Sequence, residues 1–458
     1  MKMMSTDIAN FEQLEDLFTR LASPGIRPGL ERVGRLLDLL GNPESKFPAV
    51  HVVGTNGKGS TAAFTERMLR ESGYRTALYT SPHLESPSER LLLNGEALPV
   101  EEWAECARII EDTMIEDREL TGDPPTFFEL VTAAAFMLCE REGVEIAVVE
   151  AGLGGRLDAT NMLKDVRLTL VTSISMDHTE FLGDTIELIA KEKFAVMRSG
   201  VPAIFSGNPP ELSHLFFDTA SRLGAVPLVV EEVCAADNVH SLPGSLSYTC
   251  TLRLDDGACR GREWLSCPAL EIRTRLAGLH QVENSSLAVS GAFLLSSQFG
   301  GLTCESIVTG VSRTEWPGRF EIVDDSPVTI LDGAHNTGGV ARLVENIKSM
   351  YAGRTVGLVY GCMKDKPYNE CLSMLREAGS RLWCTQVPGN PRSAAAETLA
   401  RAAIEAGWGQ DDVLALPDPI EALREARLAS EVAVCCGSLY LVGFTRPRLR
   451  RLLEEGAV

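Results

Sequence analysis

Short apolar runs alternate with amphipathic segments through the first two-thirds of the chain. Ser60–Ser72 places Phe64 and Met68 four residues apart, and Phe127–Cys139 is long and apolar enough for a buried helix. Four shorter runs have the apolar character of buried strands: Phe47–Val53, Thr76–Tyr79, Val144–Val149 and Arg167–Ser173. Strands that alternate with helices in this way predict a doubly wound α/β sheet.

The pattern changes twice further along the chain. From about Val201 to Arg275 it weakens into short alternating runs, which predict a small β annex to the first domain, and helical periodicity returns over His280–Ser297. Thr314–Arg319 contains adjacent Pro and Gly, which indicate a linker. Four strand candidates follow it: Val328–Leu331, Thr355–Tyr360, Leu382–Val387 and Val432–Cys435.

These patterns together predict an α/β protein with two domains. We expect an N-terminal P-loop-type doubly wound domain with its β annex at residues 1–312, a linker at 313–318, and a smaller C-terminal Rossmann-like α/β domain at 319–458. A chain of 458 residues has room for two or three domains, and 45% hydrophobic with 23% charged residues is usual for a globular protein.

The sequence also indicates in which compartment the protein is expected. No run approaches the roughly 20 apolar residues of a membrane-spanning helix. The segment Met1–Glu15 has no apolar core of a signal peptide, so we expect a cytoplasmic protein without a membrane partner. The twelve cysteines include no C-x-x-C pair, which favours buried free thiols over zinc or redox sites.

The formal net charge of −20 argues against a nucleic-acid partner, because binding to phosphate backbones requires a basic surface. Anionic small molecules are a different case, since a few concentrated groups can reverse the sign of the charge locally. The groups that could bind such anions are basic side chains, inward-facing backbone N–H groups and metal ions.

The strongest local signal is the segment Gly54–Thr61, which follows a predicted strand and opens a predicted helix. Its glycines allow N–H groups to turn inward, Lys58 can reach phosphate oxygens, and a hydroxyl of Ser60 or Thr61 can face a metal. It departs from G-x-x-x-x-G-K-[ST], because Gly59 is inserted before Ser60. The alternative is an ordinary strand–turn–helix connection capped by Ser60, but the lysine and glycines favour an ATP site.

Two other strand ends carry candidate ligands. Glu150 ends a predicted strand, where a carboxylate can hold Mg²⁺. The glycines that follow it do not complete G-x-G-x-x-G, because Leu157 stands at the last position, and a nicotinamide cofactor is not favoured. His178 follows another strand beside Asp177, and its residue type alone leaves a metal ligand and a hydrogen-bonded structural histidine equally open.

Ten short stretches follow one another in an order that chance would not produce. They are His51–Ser60, Tyr79–Leu84, Thr126–Glu129, Glu150–Asn161, Met176–His178, Ala190–Lys193, His280–Asn284, Trp316–Arg319, Leu331–Asn336 and Gly437–Tyr440. Together they resemble the folylpolyglutamate synthase and dihydrofolate synthase family, within the Mur ligase superfamily. The resemblance covers nearly the whole chain.

The resemblance implies an ATP and magnesium site. Family contacts with ATP match Asn56, Gly57, Lys58, Gly59, Ser60, Asn284, Arg319 and Asp332, of which the last two belong to the second domain. Magnesium ligands match Ser81, Glu150 and His178, and the histidine would serve the second of two ions. Lys193 matches a lysine that the family carbamylates with CO₂. The expected catalytic residues are Lys58, Lys193 and His178.

The resemblance also implies where the other substrates bind. The pteroyl site matches Thr126, Phe127, Phe128, Glu129, Leu157, Asp158 and Ala159, and the glutamate end matches His335 and Ser438. Simpler roles remain open, since Lys193 could be a solvated helix lysine and Ser438 could cap a turn. One departure is Leu91–Leu93, where the family usually has a basic or polar residue, and it leaves the pterin contacts uncertain.

The implied activity is ATP-dependent ligation of L-glutamate to dihydropteroate, to reduced folyl(poly)glutamate, or to both, through an acyl phosphate and with release of ADP and phosphate. The resemblance suggests a monomer. One rival is a peptidoglycan-type Mur ligase, whose additional N-terminal domain of about a hundred residues has no room before Gly54. The other is a P-loop NTPase switch protein, for which no guanine-reading motif is visible.

Overall fold

The computed structural model describes residues 8–253 and 269–456. Its internal contacts divide the chain into two compact units. The N-terminal unit comprises Met1–Ala236, Thr249–Glu271 and Asn284–Arg313, and the C-terminal unit comprises Asp237–Tyr248, Ile272–Glu283 and Thr314–Val458.

The described residues form strands and helices in alternation. The strands are β1 Ala49–Val53, β2 Thr76–Tyr79, β3 Leu91–Leu93, β4 Glu96–Ala97, β5 Ile146–Glu150, β6 Val166–Val171, β7 Pro202–Phe205, β8 Val226–Val229, β9 Cys234–Leu242, β10 Ser245–Leu252, β11 Ala269–Thr274, β12 Glu321–Asp325, β13 Val328–Leu331, β14 Val356–Tyr360, β15 Arg381–Cys384, β16 Val413–Ala415 and β17 Val432–Cys436. The helices are α1 Phe11–Leu21, α2 Glu31–Leu39, α3 Lys58–Glu71, α4 Val100–Glu116, α5 Arg118–Gly122, α6 Phe127–Arg141, α7 Thr179–Leu182, α8 Ile186–Phe194, α9 Ser213–Leu223, α10 Val230–Val233, α11 His280–Leu295, α12 Cys304–Arg313, α13 Thr337–Met350, α14 Tyr368–Leu375, α15 Ala396–Glu405, α16 Pro419–Ala429 and α17 Leu439–Glu454.

The N-terminal unit is built on a sheet with the order β4-β3-β2-β5-β1-β6-β7-β8 across the part of the chain that is described. β1 pairs in parallel with β5 on one side and β6 on the other, and all five of its residues are buried. Parallel neighbours bring the carboxyl ends of β1, β5 and β6 to one edge of the sheet, which is where ligands bind in such folds. The predicted α/β class is confirmed.

The predicted β annex is smaller than the sequence suggested. Between Val201 and Arg275, β7 and β8 extend the main sheet in parallel, and only β9, β10 and β11 form a separate sheet, in the order β11-β10-β9. The prediction was wrong for β7 and β8 because each is four residues long and β8, at the sheet edge, is partly exposed. Both strands are apolar, but each contains a proline, Pro202 in β7 and Pro227 in β8, which is uncommon within a sheet and weakens the sequence signal of a parallel strand. The part of this prediction at 254–268 lies outside the described residues.

The C-terminal unit has its own sheet, which in the described ranges has the order β12-β13-β17-β14-β15-β16. β12 is antiparallel to β13, and the other pairs are parallel. Leu331 and Cys436, at the ends of the adjacent strands β13 and β17, are fully buried. The turns that follow these strands therefore lie side by side at one edge of the sheet.

The structure bears on the state of the cysteines and on the character of the helices. The ten cysteines within the described ranges are all free, and nine of them are buried, with Cys304 the exception. Cys259 and Cys267 lie outside those ranges. Among the helices that the structure describes, none has both the length and the apolar character needed to cross a membrane.

A close helix contact supports the helix that begins at the predicted phosphate loop. Gly310 on α12 faces Met68 on α3, and a Cβ atom at position 310 would lie 2.6 Å from the Met68 Cα. Both partners in this contact are helix backbone, which cannot rotate away as a side chain can. The approach of α12 to α3 therefore requires glycine at this position.

We expect Gly310→Ala to lower the free energy of unfolding by about 1–3 kcal/mol, because overpacking forces the two helices apart. Gly122→Ala is the matched control, since Gly122 is also helical but has no atom within 4 Å of its added Cβ. The control should change stability by less than about 1 kcal/mol. Differential scanning calorimetry of both variants measures the difference, and equal transition temperatures would contradict the close contact.

Candidate active site

The predicted phosphate loop joins the central strand of the sheet to α3. Gly57, the residue before α3, has φ of +87°, a conformation that glycine adopts without strain. A Cβ atom there would also collide with the side-chain amide of Asn284 on α11. The structure thus brings Asn284, which the resemblance assigns to ATP, against the loop.

The front of the loop is fixed by the strand beside it. The Ser173 carbonyl accepts hydrogen bonds from the backbone N–H of Thr55, at 2.8 Å, and of Asn56, at 3.4 Å. The Asn56 side chain donates to the Ser175 hydroxyl at 3.0 Å. These bonds hold the glycine-rich turn against the end of β6, at the point where α3 begins. A helix N-terminus of this kind is an anion site.

Lys58, Ser81 and Glu150 lie together at the carboxyl edge of the sheet. The Lys58 ammonium is 3.2 Å from the Thr55 carbonyl oxygen and 3.8 Å from Glu150 Oε1, and the backbone N–H of Ser81 donates to Glu150 Oε2 at 3.4 Å. Glu150 is buried. A serine hydroxyl and a carboxylate are hard oxygen donors of the kind that Mg²⁺ takes when phosphates supply its other ligands.

No three His, Cys, Asp or Glu side chains within residues 8–253 and 269–456 converge on a point where they would hold a metal. His178 lies just before α7 with φ of +51°, and its Nε2 is 3.9 Å from Asp177 Oδ2. Its side chain is about one-third exposed, at 37%. The negative charge of Asp177 raises the pKa of Lys193, so the loop that carries His178 lies near that lysine.

Lys193 is a buried residue of α8, whereas Lys191 on the same helix is exposed. Its ammonium nitrogen donates to the Gly54 carbonyl at 2.7 Å. Burial first, and then the positive charge of Lys58, lower the pKa of Lys193 to about 7, against the opposing effects of Asp177 and Asp158. A neutral amine is therefore well populated near neutral pH, and the interpretation as a solvated lysine does not apply.

The start of α6 holds the first group of predicted pteroyl contacts. Thr126 caps the helix: its hydroxyl accepts from the Glu129 N–H at 3.3 Å, and Glu129 Oε2 accepts from the Thr126 N–H at 2.6 Å. Arg32 on α2 donates to Glu129 Oε1 at 3.0 Å and to Oε2 at 3.3 Å. Both carboxylate oxygens of Glu129 thus accept hydrogen bonds from other groups of the protein.

Aromatic side chains surround the same helix start. Phe127 packs edge-to-face on Phe18 with ring centroids 6.4 Å apart, and the Arg90 guanidinium carbon lies 5.6 Å from the centre of the Phe127 ring. Phe128 lies 6.3 Å from the Tyr79 ring, and a Cβ atom on Gly152 would touch it at 2.7 Å. These contacts gather aromatic rings and one guanidinium group around the start of α6.

Asp158, in the second group of predicted pteroyl contacts, is fully engaged by its neighbours. It accepts from the backbone N–H groups of Leu153, Thr160 and Gly152 and from the Thr160 hydroxyl, the last at 2.6 Å. Burial raises the pKa of Asp158, and these hydrogen bonds lower it in part. The carboxylate holds the turn after Glu150, and Leu157 and Ala159 lie on either side of it.

The same network fixes the protonation of His51 on β1. Its Nε2 lies 2.9 Å from the Thr160 hydroxyl oxygen. That hydroxyl already donates its only hydrogen to Asp158, so His51 Nε2 must carry a proton and donate. Burial, with a smaller effect from Arg198, lowers the pKa of His51 to about 3, which keeps the ring neutral.

In the C-terminal unit, Asp332 and His335 follow β13, Ser438 follows β17, and Arg319 lies just before β12. Asp332 is buried and accepts from the N–H groups of Phe320 at 2.7 Å and Ala334 at 2.8 Å, and burial raises its pKa despite the positive charge of Arg319. His335 Nδ1 lies 2.8 Å from the Gly333 carbonyl and donates to it. Ser438 caps α17 by accepting from the Tyr440 N–H at 3.1 Å.

The sequence did not identify several residues that shape the site. Arg32 acts on Glu129 from 97 residues away, and Thr160 links His51 to Asp158. Arg90 packs over Phe127 from the loop before β3. No local pattern marks such partners, because each contact depends on the tertiary fold. The position of His51 on the strand that leads into the glycine-rich loop was the only available signal.

The chain is similar in sequence to a known protein family and to several of its members. A family model described as "Mur ligase, glutamate ligase domain" matches residues 318–439. The chain is 33% identical to the dihydrofolate synthase/folylpolyglutamate synthase of Bacillus subtilis, over 93% of this chain and 96% of the relative. It is 32% identical to the protein of the same name from Escherichia coli, over 92% and 91% of the two chains.

Solved structures show the same similarity. Mycobacterium tuberculosis folylpolyglutamate synthase complexed with ADP and AMPPCP superposes with a TM-score of 0.86 at 27% identity and covers 96% of this chain and 98% of its own. A structure described as Escherichia coli FolC in complex with DHPP and ADP gives a TM-score of 0.83 at 27% identity, with 98% and 99% coverage. Both similarities extend over essentially entire chains.

We expect Arg32→Ala to lower the free energy of unfolding by about 3 kcal/mol, because it leaves the buried Glu129 carboxylate without its charged partner. Arg27→Ala is the control. Arg27 pairs with Asp123 at 2.7 Å, but both side chains are largely exposed, so its loss should cost less than about 1 kcal/mol. Adding Glu129→Gln to Arg32→Ala should recover part of the loss. Calorimetry measures all three, and equal effects of the two arginine variants would contradict the buried pair.

Proposed function

The chain belongs to the dihydrofolate synthase/folylpolyglutamate synthase family of Mur ligases, and from this premise we propose that it joins L-glutamate to a pteroyl acid in a reaction that converts ATP to ADP and phosphate. The acceptors are dihydropteroate and reduced folyl(poly)glutamate. The proposal includes a monomeric enzyme that acts on small molecules in the cytoplasm. Relatives over nearly the full chain carry these two activities in their names.

The observation that carries the proposal is the cluster of charged groups at the carboxyl edge of the N-terminal sheet. Lys58, Glu150 and Lys193 lie there within one group of direct contacts and charge interactions, beside the first turn of α3. A phosphate-binding lysine, a hard oxygen ligand and a buried amine of low pKa are what phosphoryl transfer to a carboxylate requires. In a protein of net charge −20, such a cluster gives anions a local site.

The chemistry begins with a carboxylate, which does not react with an amine at neutral pH because its leaving group is poor. An oxygen of the pteroyl carboxylate attacks the γ-phosphorus of ATP, the bond to the β-phosphate oxygen breaks, and an acyl phosphate and ADP form. The amino nitrogen of glutamate then attacks the acyl carbon, phosphate leaves, and the nitrogen loses a proton. Lys58 and the α3 N-terminus hold the transferred group in line.

Ser81, Glu150 and His178 are the residues that would hold magnesium. The hard oxygens of the first two fit Mg²⁺, and the two residues are neighbours, because the Ser81 backbone N–H donates to Glu150 Oε2 at 3.4 Å. When bound, Mg²⁺ neutralises charge on the phosphates. Asn56, Gly57, Gly59, Ser60 and Asn284 complete the proposed nucleotide contacts in the N-terminal unit.

Lys193 is proposed to react with CO₂. Its neutral amine nitrogen attacks the carbon and loses a proton, which gives a carbamate with one negative charge. The buried position and the pKa near 7 support this step, because a lysine of ordinary pKa would be almost entirely protonated. The carbamate would replace a cation that Lys58 opposes with an anion that Lys58 attracts.

The turns of the C-terminal unit are proposed to bind the nucleotide and glutamate. Arg319 and Asp332 are assigned to ATP, and His335 and Ser438 to glutamate. His335 donates through Nδ1 to the Gly333 carbonyl, which fixes the orientation of its ring in the turn after β13. The Ser438 hydroxyl accepts from Tyr440 and keeps its own hydrogen, which suits a carboxylate.

We expect purified protein to release phosphate from ATP only when Mg²⁺, glutamate and a pteroyl acceptor are all present. Each acceptor, dihydropteroate or reduced monoglutamyl folate, is offered singly, and phosphate release is measured with product mass. Both should gain one glutamate. Extension of dihydropteroate alone would restrict the enzyme to dihydrofolate synthesis, extension of neither would favour a peptidoglycan-type acceptor, and rapid hydrolysis without acceptor would favour a switch protein.

We expect Lys193→Ala to lower kcat by about 10–100-fold, because it removes a proposed metal-supporting group while Lys58 still binds nucleotide. Lys191→Ala on the exposed side of α8 is the control and should keep its activity. Activity of the unaltered protein should fall after CO₂ is removed and return with bicarbonate. Full activity of Lys193→Ala would disprove the assignment, and loss of nucleotide affinity would show a structural role instead.

A further inference from the structure

The turn that carries Arg319 is held by a carboxylate on each side. After Arg319, the backbone N–H of Phe320 donates to Asp332 Oδ2 at 2.7 Å. Before it, the backbone N–H of Gly318 donates to Glu321 Oε2 at 2.9 Å. Asp332 is one of the proposed ATP contacts, whereas Glu321, the first residue of β12, belongs to none of the proposed contacts. Two carboxylates thus fix the residues on either side of Arg319.

The backbone of this turn is in a conformation that needs support. Phe320 has φ of +47°, which residues with a side chain rarely adopt, and its ring is buried. Gly318 has φ of +72°, and its carbonyl accepts from the Gly333 N–H at 2.9 Å and from Arg319 Nη1 at 3.2 Å. A conformation of this kind persists only where the surrounding contacts fix it. The loss of one contact should therefore allow the turn to relax.

Helix α17 holds Glu321 in place. Arg446 Nε donates to Glu321 Oε1 at 3.0 Å and to Oε2 at 2.8 Å, and Arg450, one helical turn later, donates to Oε1 at 3.1 Å. The side chains of Arg446 and Glu321 are only 11% and 16% exposed, whereas Arg450 is 53% exposed. Because a buried charge without its partner is costly, the pair of Arg446 and Glu321 is the stronger tie, and solvent weakens the contact of Arg450.

The Arg319 side chain lies at the edge of the C-terminal sheet where β13 ends. Its Nη1 is so close to Gly333 that a Cβ atom there would be 2.5 Å away. Its positive charge also acts on the buried Asp332 carboxyl group. Arg319 and Asp332, both proposed ATP contacts, are therefore neighbours. A cation stabilises the charge that develops on a phosphate best when it is already in place, because a group that must reorient loses part of that effect.

We propose that Glu321 is a positioning residue, which fixes the turn before β12 and so orients the Arg319 guanidinium toward the phosphates of ATP. Arg446 holds it in this role. This inference rests on the proposed function and specifies what supports one of its nucleotide contacts. Glu321 acts through the backbone of the turn and not on the substrate. Arg446 and Arg450 balance its charge, so the carboxylate does not have to take Arg319 as its partner.

The test compares Glu321→Ala with Asp324→Ala. Asp324 lies three residues further along β12 and pairs with the buried Arg427 of α16 at 2.7 Å, so each variant breaks a carboxylate–arginine pair between β12 and a helix. Glu321→Ala should raise KM for ATP about tenfold and leave KM for glutamate unchanged, because the turn loses a charge-assisted hydrogen bond. Asp324→Ala should leave both KM values unchanged, although both variants should unfold at a lower temperature.

Nucleotide affinity is measured separately by titration calorimetry with the non-hydrolysable ATP analogue AMPPCP, without an acceptor. Glu321→Ala should weaken its binding about tenfold. The effect of a positioning residue disappears when the residue that it positions is removed, so Glu321→Ala should cause no further loss in Arg319→Ala protein. Glu321→Gln keeps an oxygen for the Gly318 N–H but lacks the charge that Arg446 binds, and it should weaken binding at least about threefold. If Glu321→Ala does not fold, this second variant provides the test.

Unchanged KM for ATP and unchanged AMPPCP affinity in the Glu321 variants would overturn the inference. Equal effects of Glu321→Ala and Asp324→Ala would also overturn it, because they indicate a purely structural role, and so would additive losses from Glu321→Ala and Arg319→Ala. Binding of AMPPCP requires no ligation. A protein that binds the analogue but extends no pteroyl acid would therefore refute the proposed function and still test this inference, so the two failures are distinguishable.

Discussion

Two lysine side chains close enough to repel each other define the chemistry of the N-terminal unit. Lys58 is balanced by Glu150, whereas Lys193 is buried against a carbonyl and loses much of its charge near neutral pH. Desolvation makes a second full cation at this place unfavourable, unless an anion arrives or the amine is converted. The glycine-rich turn, the start of α3 and the end of β5 all meet at this pair of lysines.

The carboxylates of the site differ in what occupies their oxygens. Glu129 and Asp158 are satisfied by arginine, hydroxyl and backbone donors, so they fix the backbone around a ligand. Glu15, among the residues that the structure describes, meets only the long approach of a neutral histidine. A satisfied buried carboxylate adds rigidity to the site, whereas a partly exposed one such as Glu15 can be hydrated by solvent. Residue type alone does not separate these roles.

The sequence predicted the α/β class because central strands such as β1 and β14 are short, apolar and followed by helices. It located the glycine-rich loop for the same local reason. It failed where the signal depends on neighbours: β8 is partly exposed at a sheet edge, and the tie from Arg32 to Glu129 joins residues far apart in the chain. Burial of Lys193 likewise follows from how α8 packs, which helical periodicity does not reveal.

The order of strands in the main sheet determines when each strand can pair while the chain is being synthesised. β1 is synthesised first among its neighbours, yet its partners are β5 and β6, which end at Glu150 and Val171. At ordinary ribosomal speed, on the order of ten seconds separates the central strand from the second of these partners. During that interval an apolar strand lacks both of the partners that pair with its edges in the finished sheet, which leaves it open to pairing with other chains.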